Sequence, residues 1–195
     1  MNIENIKQLV KKKMSSESSG HDYLHALRVY ENTIVLTKDL NINMDVVLVS
    51  ALIHDLIDHK LEDKYKVSIE EIKEYLYKEN MKTNDIELVI EIISNISYSK
   101  GLTPQSQEGK IVQDADRLDA LGAIGIARTF AYGGKNNRLI YNPESLDGED
   151  SVSHFYQKLF KLVDLMNTQQ GKIEATKRTE FMKKYIEVLD NEIKR

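Results

Sequence analysis

Apolar residues return along this chain at spacings of three and four, which predicts helices and leaves strand signals weak throughout. Ile3, Ile6, Leu9, Val10 and Met14 make the first such run, and SSESSG breaks it. The spacing predicts a second helix over about His21 to Leu40. Leu24, Leu27, Tyr30, Ile34 and Val35 take one side of it, and Val29, Leu36 and Leu40 the other. Two apolar sides predict a central, buried helix. A third helix, from about Asp45 to Ile57, is apolar nearly all round and reads as buried too. Ser68 with Glu71 three residues on reads as a capping box. The helix it opens carries Ile69, Ile72 and Leu76 inward. Another helix is expected from about Thr83 to Ser97, on Ile86, Val89, Ile90 and Ile93. After the turn SKGLTPQSQ, a helix from Glu108 is expected to bend near Gly122 and to stop at Gly133 and Gly134. The long loop KNNRLIYNPESLDGED precedes two closing helices, about Ser151 to Asn167 and Ile173 to Lys194. The expected fold is all-α, with about eight to nine helices in a single domain over residues 1–195.

Composition narrows the function. The 195 residues suffice for one large or two small domains, and nothing in the sequence separates two. A formal net charge of -4 argues against a stable nucleic-acid complex, because dedicated binders present a basic face. The chain has no cysteine, which excludes disulfides, zinc–thiolate sites and thiol nucleophiles and favours a cytoplasmic location. No apolar run has signal-peptide or membrane-spanning character, so no membrane association is expected.

Against this background a few polar residues need an explanation. The segment ALIHDLIDH sets His54 and Asp55 side by side at the end of the most apolar helix. A carboxylate buried there without a partner or a metal is expensive. His25 raises the same question on the second helix, where it shares a stripe with Asn32, Val29 and Leu36. The string DADRLD offers Asp114, Asp116 and Asp119 around an apolar stripe of Ile111, Ala115, Leu118 and Gly122. Asp116 and Asp119 lie on one flank of that stripe. Asp114 lies on the other and reads as solvated. Two imidazoles with two carboxylates form a mixed nitrogen and oxygen set that suits manganese, iron, zinc, nickel or magnesium.

The segments GHDYLHALRV, ALIHDLIDHK and VQDADRLDALGAIGIAR, in that order, resemble the HD-domain superfamily of metal-dependent phosphohydrolases. The match is to its YedJ/YpgQ-type branch of small bacterial hydrolases. The resemblance covers about residues 20–128, with the helices of 151–194 expected to pack on that core. It implies that His25, His54, Asp55 and Asp116 hold one divalent ion, with manganese favoured and magnesium, iron, nickel or zinc as alternatives. His25 rather than His21 is implied as the ligand, and His21 is left to cap or line the start of its helix. Asp58 matches an acidic position used near the metal in the related (p)ppGpp hydrolases, where with Asp55 it would serve catalysis by orienting water or moving a proton. Lys60, Arg28 and Arg117 are candidates for binding phosphate, with Arg128 behind them, although each could equally form an ordinary ion pair. Asp119 is either close to the metal or a salt-bridge partner of Arg28. The loop around Lys135 and Arg138 is a candidate to close over the substrate. His59 reads as exposed and His154 as a helix-start residue. The absence of further histidines between His59 and His154 favours one metal over a two-iron oxygenase site. The implied reaction converts a nucleoside triphosphate to its monophosphate and pyrophosphate. Alternatives are a phosphodiesterase or phosphomonoesterase acting on nucleotides, or a non-catalytic sensor that binds a nucleotide or metal. The partner is then a small nucleotide, and the helical surfaces are compatible with a homodimer.

Overall fold

The structure, a computed structural model, describes residues 1–14, 22–57, 67–96, 102–144 and 148–193. These contain nine α-helices and one 3-10 helix, with no strand among the described residues. The α-helices are α1 (Ile3–Met14), α2 (Tyr23–Leu36), α3 (Met44–Ile53), α4 (Ile69–Lys78), α5 (Thr83–Asn95), α6 (Gln107–Asp119), α7 (Gly122–Lys135), α8 (Ser151–Gln157) and α9 (Gln169–Ile193). The 3-10 helix, Leu159–Leu165, lies between α8 and α9. No helix among the described residues is long and apolar enough to cross a membrane. The chain divides into two compact units, Met1–Asp116 and Arg117–Arg195.

In the first unit α3 is central and packs against α1, α2 and α5. Its sequence, MDVVLVSALI, has no solvated face, so neighbours on several sides are its stable environment. Val46, Val47, Val49, Ala51 and Leu52 are fully buried. Each large aliphatic side chain so placed contributes about 1.5–3 kcal/mol. Asn43 caps α3 by accepting from the Val46 N–H and donates to Asp85 in the first turn of α5, tying the starts of the two helices together. The capping box of Ser68 and Glu71 opens α4 as the sequence predicts.

α2 departs from its expectation in two ways. Val29, Tyr30 and Leu36 are buried, but Leu24, Ile34 and Val35 are exposed, so most of one of its two apolar sides is left uncovered. It also ends at Leu36 rather than Leu40. Asp39 adopts a left-handed conformation (φ 65°) that turns the chain out of the helix, and aspartate tolerates that region better than most residues. α3 likewise stops at Ile53, with His54 as its C-cap. α6 is anchored by Gln113, whose amide donates to the Ile96 and Leu102 carbonyls at 3.3 and 2.9 Å.

In the second unit α9 packs against α7 and the 3-10 helix. Phe155 is fully buried between Phe130 and Phe160, with ring centroids 5.8 and 6.1 Å away. The helix expected to run from Glu108 is two helices. The break follows Asp119, and Gly122 opens α7 with φ 72°, a conformation open to glycine. Gly133 and Gly134 do not stop α7, which continues to Lys135 and is capped by Asn136. The expected helix over Ser151 to Asn167 is α8 followed by the 3-10 helix.

Replacing Ser68 with alanine removes one side of the capping box, and is expected to lower stability by about 1 kcal/mol in chemical denaturation. Gly125→Ala should show a reversed sign. Alanine normally stabilises a helix interior over glycine, but here its Cβ would lie 2.2 Å from the Ala120 carbonyl oxygen. The expected result is a loss of about 1–3 kcal/mol, read as a lower midpoint in the same titration.

Candidate metal centre

The first unit brings His25, His54, Asp55 and Asp116 together from three parts of the chain. His25 stands in the first turn of α2, where the Asp22 carboxylate accepts its backbone N–H at 2.7 Å and caps the helix. Its ring points inward because it shares a face with Val29, Asn32 and Leu36, all buried. His54 and Asp55 follow the last turn of α3, so the most apolar helix delivers them to the interior. His25, His54 and Asp55 are 2%, 6% and 5% exposed, whereas the Asp116 side chain on α6 is 28% exposed.

The functional atoms face one another. The two Nε2 atoms are 3.2 Å apart. His25 Nε2 lies 3.4 Å from an oxygen of Asp55 and 3.4 Å from one of Asp116. His54 Nε2 lies 3.3 Å from the other Asp55 oxygen and 3.7 Å from Asp116. His54 Nδ1 lies 2.8 Å from the Ala51 carbonyl. A carbonyl only accepts, so Nδ1 carries the proton, and in the neutral ring Nε2 presents a lone pair to the cluster. The same bond satisfies one of the carbonyls left open at the end of α3. Burial pushes the Asp116 carboxyl up. Its hydrogen bond to His25 and the electrostatic influence of the neighbouring His54 and His25 outweigh that and hold it below its ordinary value.

These residues fit a divalent cation. Metal–ligand bonds of about 2.0–2.2 Å place neighbouring donor atoms roughly 3.0–3.5 Å apart, and four of the five distances fall in that range. A set of lone pairs and carboxylate oxygens converging on one point is also rich in acceptors and poor in protons, which a cation compensates better than hydrogen bonding alone. His25, His54 and Asp116 on their own form a group able to hold a metal.

The other expected site residues fare differently. Asp58, Lys60, His21 and His59 lie outside the described residues. Arg28 is half-buried on α2, one turn beyond His25. The Arg117 guanidinium donates to the Leu165 carbonyl. Asp119, a buried carboxylate, pairs with Arg128. Arg138 lies over the Tyr132 ring. His154 is half-buried in α8, and burial together with Lys158 and Arg138 holds its imidazole below its ordinary value. Asp114 is a correction. It is fully buried, not solvated, because α6 is covered on both flanks: Gln113, Asp114 and Ala115 are all inside. A helical wheel assigns residues to sides without saying how many sides have neighbours. Two partners were invisible in the sequence pattern, the Ala51 carbonyl beneath His54 and the Ala115 carbonyl that Asn32 Nδ2 reaches at 3.1 Å.

Comparison with known proteins agrees with this architecture. A family description, HD domain, matches residues 22–121. The uncharacterised protein YpgQ of Bacillus subtilis is 36% identical over 194 residues, 97% of this chain and 93% of that one. The crystal structure of B. subtilis YpgQ in complex with ADP has a TM-score of 0.85 and 38% identity, covering 98% of both chains. An HD-superfamily hydrolase from Bacillus thuringiensis has a TM-score of 0.83 and 39% identity, covering 98% of this chain and 96% of that one. With its helical fold, the buried histidine–aspartate cluster and these relatives, the chain belongs to the HD-domain family, a family of metal-dependent phosphohydrolases.

Proposed function

We propose that the chain hydrolyses nucleotides at a divalent-metal centre held by His25, His54, Asp55 and Asp116, with manganese the favoured ion. The favoured reaction splits a nucleoside triphosphate into its monophosphate and pyrophosphate. The observation that carries the reading is the convergence of two imidazole nitrogens and two carboxylates at 3.2 to 3.7 Å. The ADP complex of B. subtilis YpgQ supports a nucleotide as the substrate class.

A bound divalent ion supplies a Lewis acid that polarises a phosphoryl oxygen and lowers the pKa of water. The residues supply the rest. His54 is held in one tautomer by its Nδ1 hydrogen bond, so its donor atom is ready without reorganisation. Asp55 turns one oxygen toward each imidazole nitrogen, so a cation held there would bind both rings and the carboxylate at once. Its burial, with that of the two histidines, keeps bulk water from three sides of the cluster, while the more exposed Asp116 marks the side from which a phosphate approaches. Asp58 is assigned to orienting water or moving a proton, and Lys60, Arg28 and Arg117 to binding phosphate oxygens.

The test pairs elemental analysis with a manganese-supplemented nucleotide screen, in which pyrophosphate and orthophosphate are read separately. About one metal per chain and pyrophosphate release are expected for the wild type. Asp55→Ala should lose the metal and lower kcat/KM by roughly a thousand-fold or more, the scale of losing several kcal/mol of transition-state stabilisation, while its circular dichroism stays helical. Orthophosphate as the sole product would move the assignment to a phosphomonoesterase. Nucleotide binding without turnover under every metal would make the protein a sensor. Chelation should abolish turnover of the wild type, and added manganese should restore it.

A further inference from the structure

The geometry points to Asn32 as a positioning residue that sets where the Asp116 carboxylate stands relative to the two imidazoles. This inference rests on the metal-centre reading above and adds a residue that does not belong to the ligand set.

Asn32 lies two turns beyond His25 on the same face of α2 and is 8% exposed. Its Nδ2 donates to the carbonyl of Ala115 at 3.1 Å. Ala115 is fully buried and immediately precedes Asp116 on α6. A carbonyl inside a helix keeps a second lone pair beyond its intrahelical bond, and the amide takes it. One rigid helix therefore carries both an imidazole of the cluster and a clamp on the backbone beside the opposing carboxylate. The separation of 3.4 Å between His25 Nε2 and Asp116 is spanned by a closed circuit: along α2 from His25 to Asn32, across the amide, one residue along α6 and back through the carboxylate. Each link is a helix, a covalent step or a hydrogen bond in a dry interior, where such a bond is strong and leaving it unmade is costly.

An ordinary core polar residue could also be buried with a hydrogen bond. Thr33, its neighbour, is one. It is fully buried, and its hydroxyl donates to the Val29 carbonyl at 2.9 Å within α2 itself. Thr33 thus supplies an internal control. Removing its bond affects the helix alone, whereas removing that of Asn32 takes away a bond between α2 and α6 beside the ligand.

The experiment measures the manganese affinity of the full chain from the electron paramagnetic resonance signal of free Mn2+, together with the melting temperature of the metal-free protein. Wild type, Asn32→Ala, Asn32→Ser and Thr33→Val are compared. Groups that orient metal ligands are worth about 10–100-fold in affinity, so both Asn32 variants are expected to bind manganese at least roughly ten-fold more weakly. Thr33→Val should lower the melting temperature and leave the affinity unchanged. The serine variant keeps a polar group at the position but is too short to reach Ala115, so it carries the test if the alanine variant does not fold. Wild-type affinity in the Asn32 variants would overturn the positioning role and leave the metal centre intact. An equal loss of affinity in Thr33→Val would also overturn it, by showing that general loosening of α2 is enough. A wild type that binds no manganese would overturn the metal centre, and the role of Asn32 with it.

Discussion

Asp55 is a carboxylate held at 5% exposure between two imidazoles, with a second carboxylate facing the same point. Negative charges in a poorly solvated interior repel one another and lose the hydration they had in water, so they persist only where positive charge is close. Much of the first unit can be understood as meeting that condition. The central α3 needs apolar neighbours on several sides, and in gaining them it places His54 and Asp55 inside. α2 and α6 supply the remaining groups from either side of the sequence. The Ala51 carbonyl orients His54, so the end of a helix and the edge of the cluster are satisfied by one hydrogen bond.

The second unit solves a similar problem differently. Asp119 is as deeply buried as His25, and Arg128 neutralises it. A guanidinium keeps its protons at any relevant pH and offers no lone pair, so it compensates the carboxylate by charge and is not itself a ligand. Imidazole can present a lone pair instead. Two aspartates three residues apart on one helix, Asp116 and Asp119, therefore face different bases, a pair of imidazoles and a guanidinium.

The sequence shows some of this directly. The all-round apolarity of α3 places it at the centre, the pairing of Ser68 with Glu71 marks the start of α4, and the order of the histidine and aspartate motifs identifies the cluster. Other features depend on neighbours that periodicity does not count. Leu24, Ile34 and Val35 form a regular stripe and are exposed, while Asp114 sits where a wheel suggests solvent and is buried. The contacts of His54 and Asn32 with main-chain carbonyls were out of reach for a different reason. Every residue has a carbonyl, so sequence gives no sign of which one a side chain will find.

Gln113 has a consequence for how this architecture can vary. Its two amide hydrogens hold the carbonyls of Ile96 and Leu102, the points where the chain leaves α5 and returns toward α6. One side chain of α6, three residues before Asp116, thus ties that helix both to the end of α5 and to the backbone ahead of it. A change at Gln113 would therefore release both attachments at once, so a related sequence without this glutamine would have to hold the aspartate in place through other contacts.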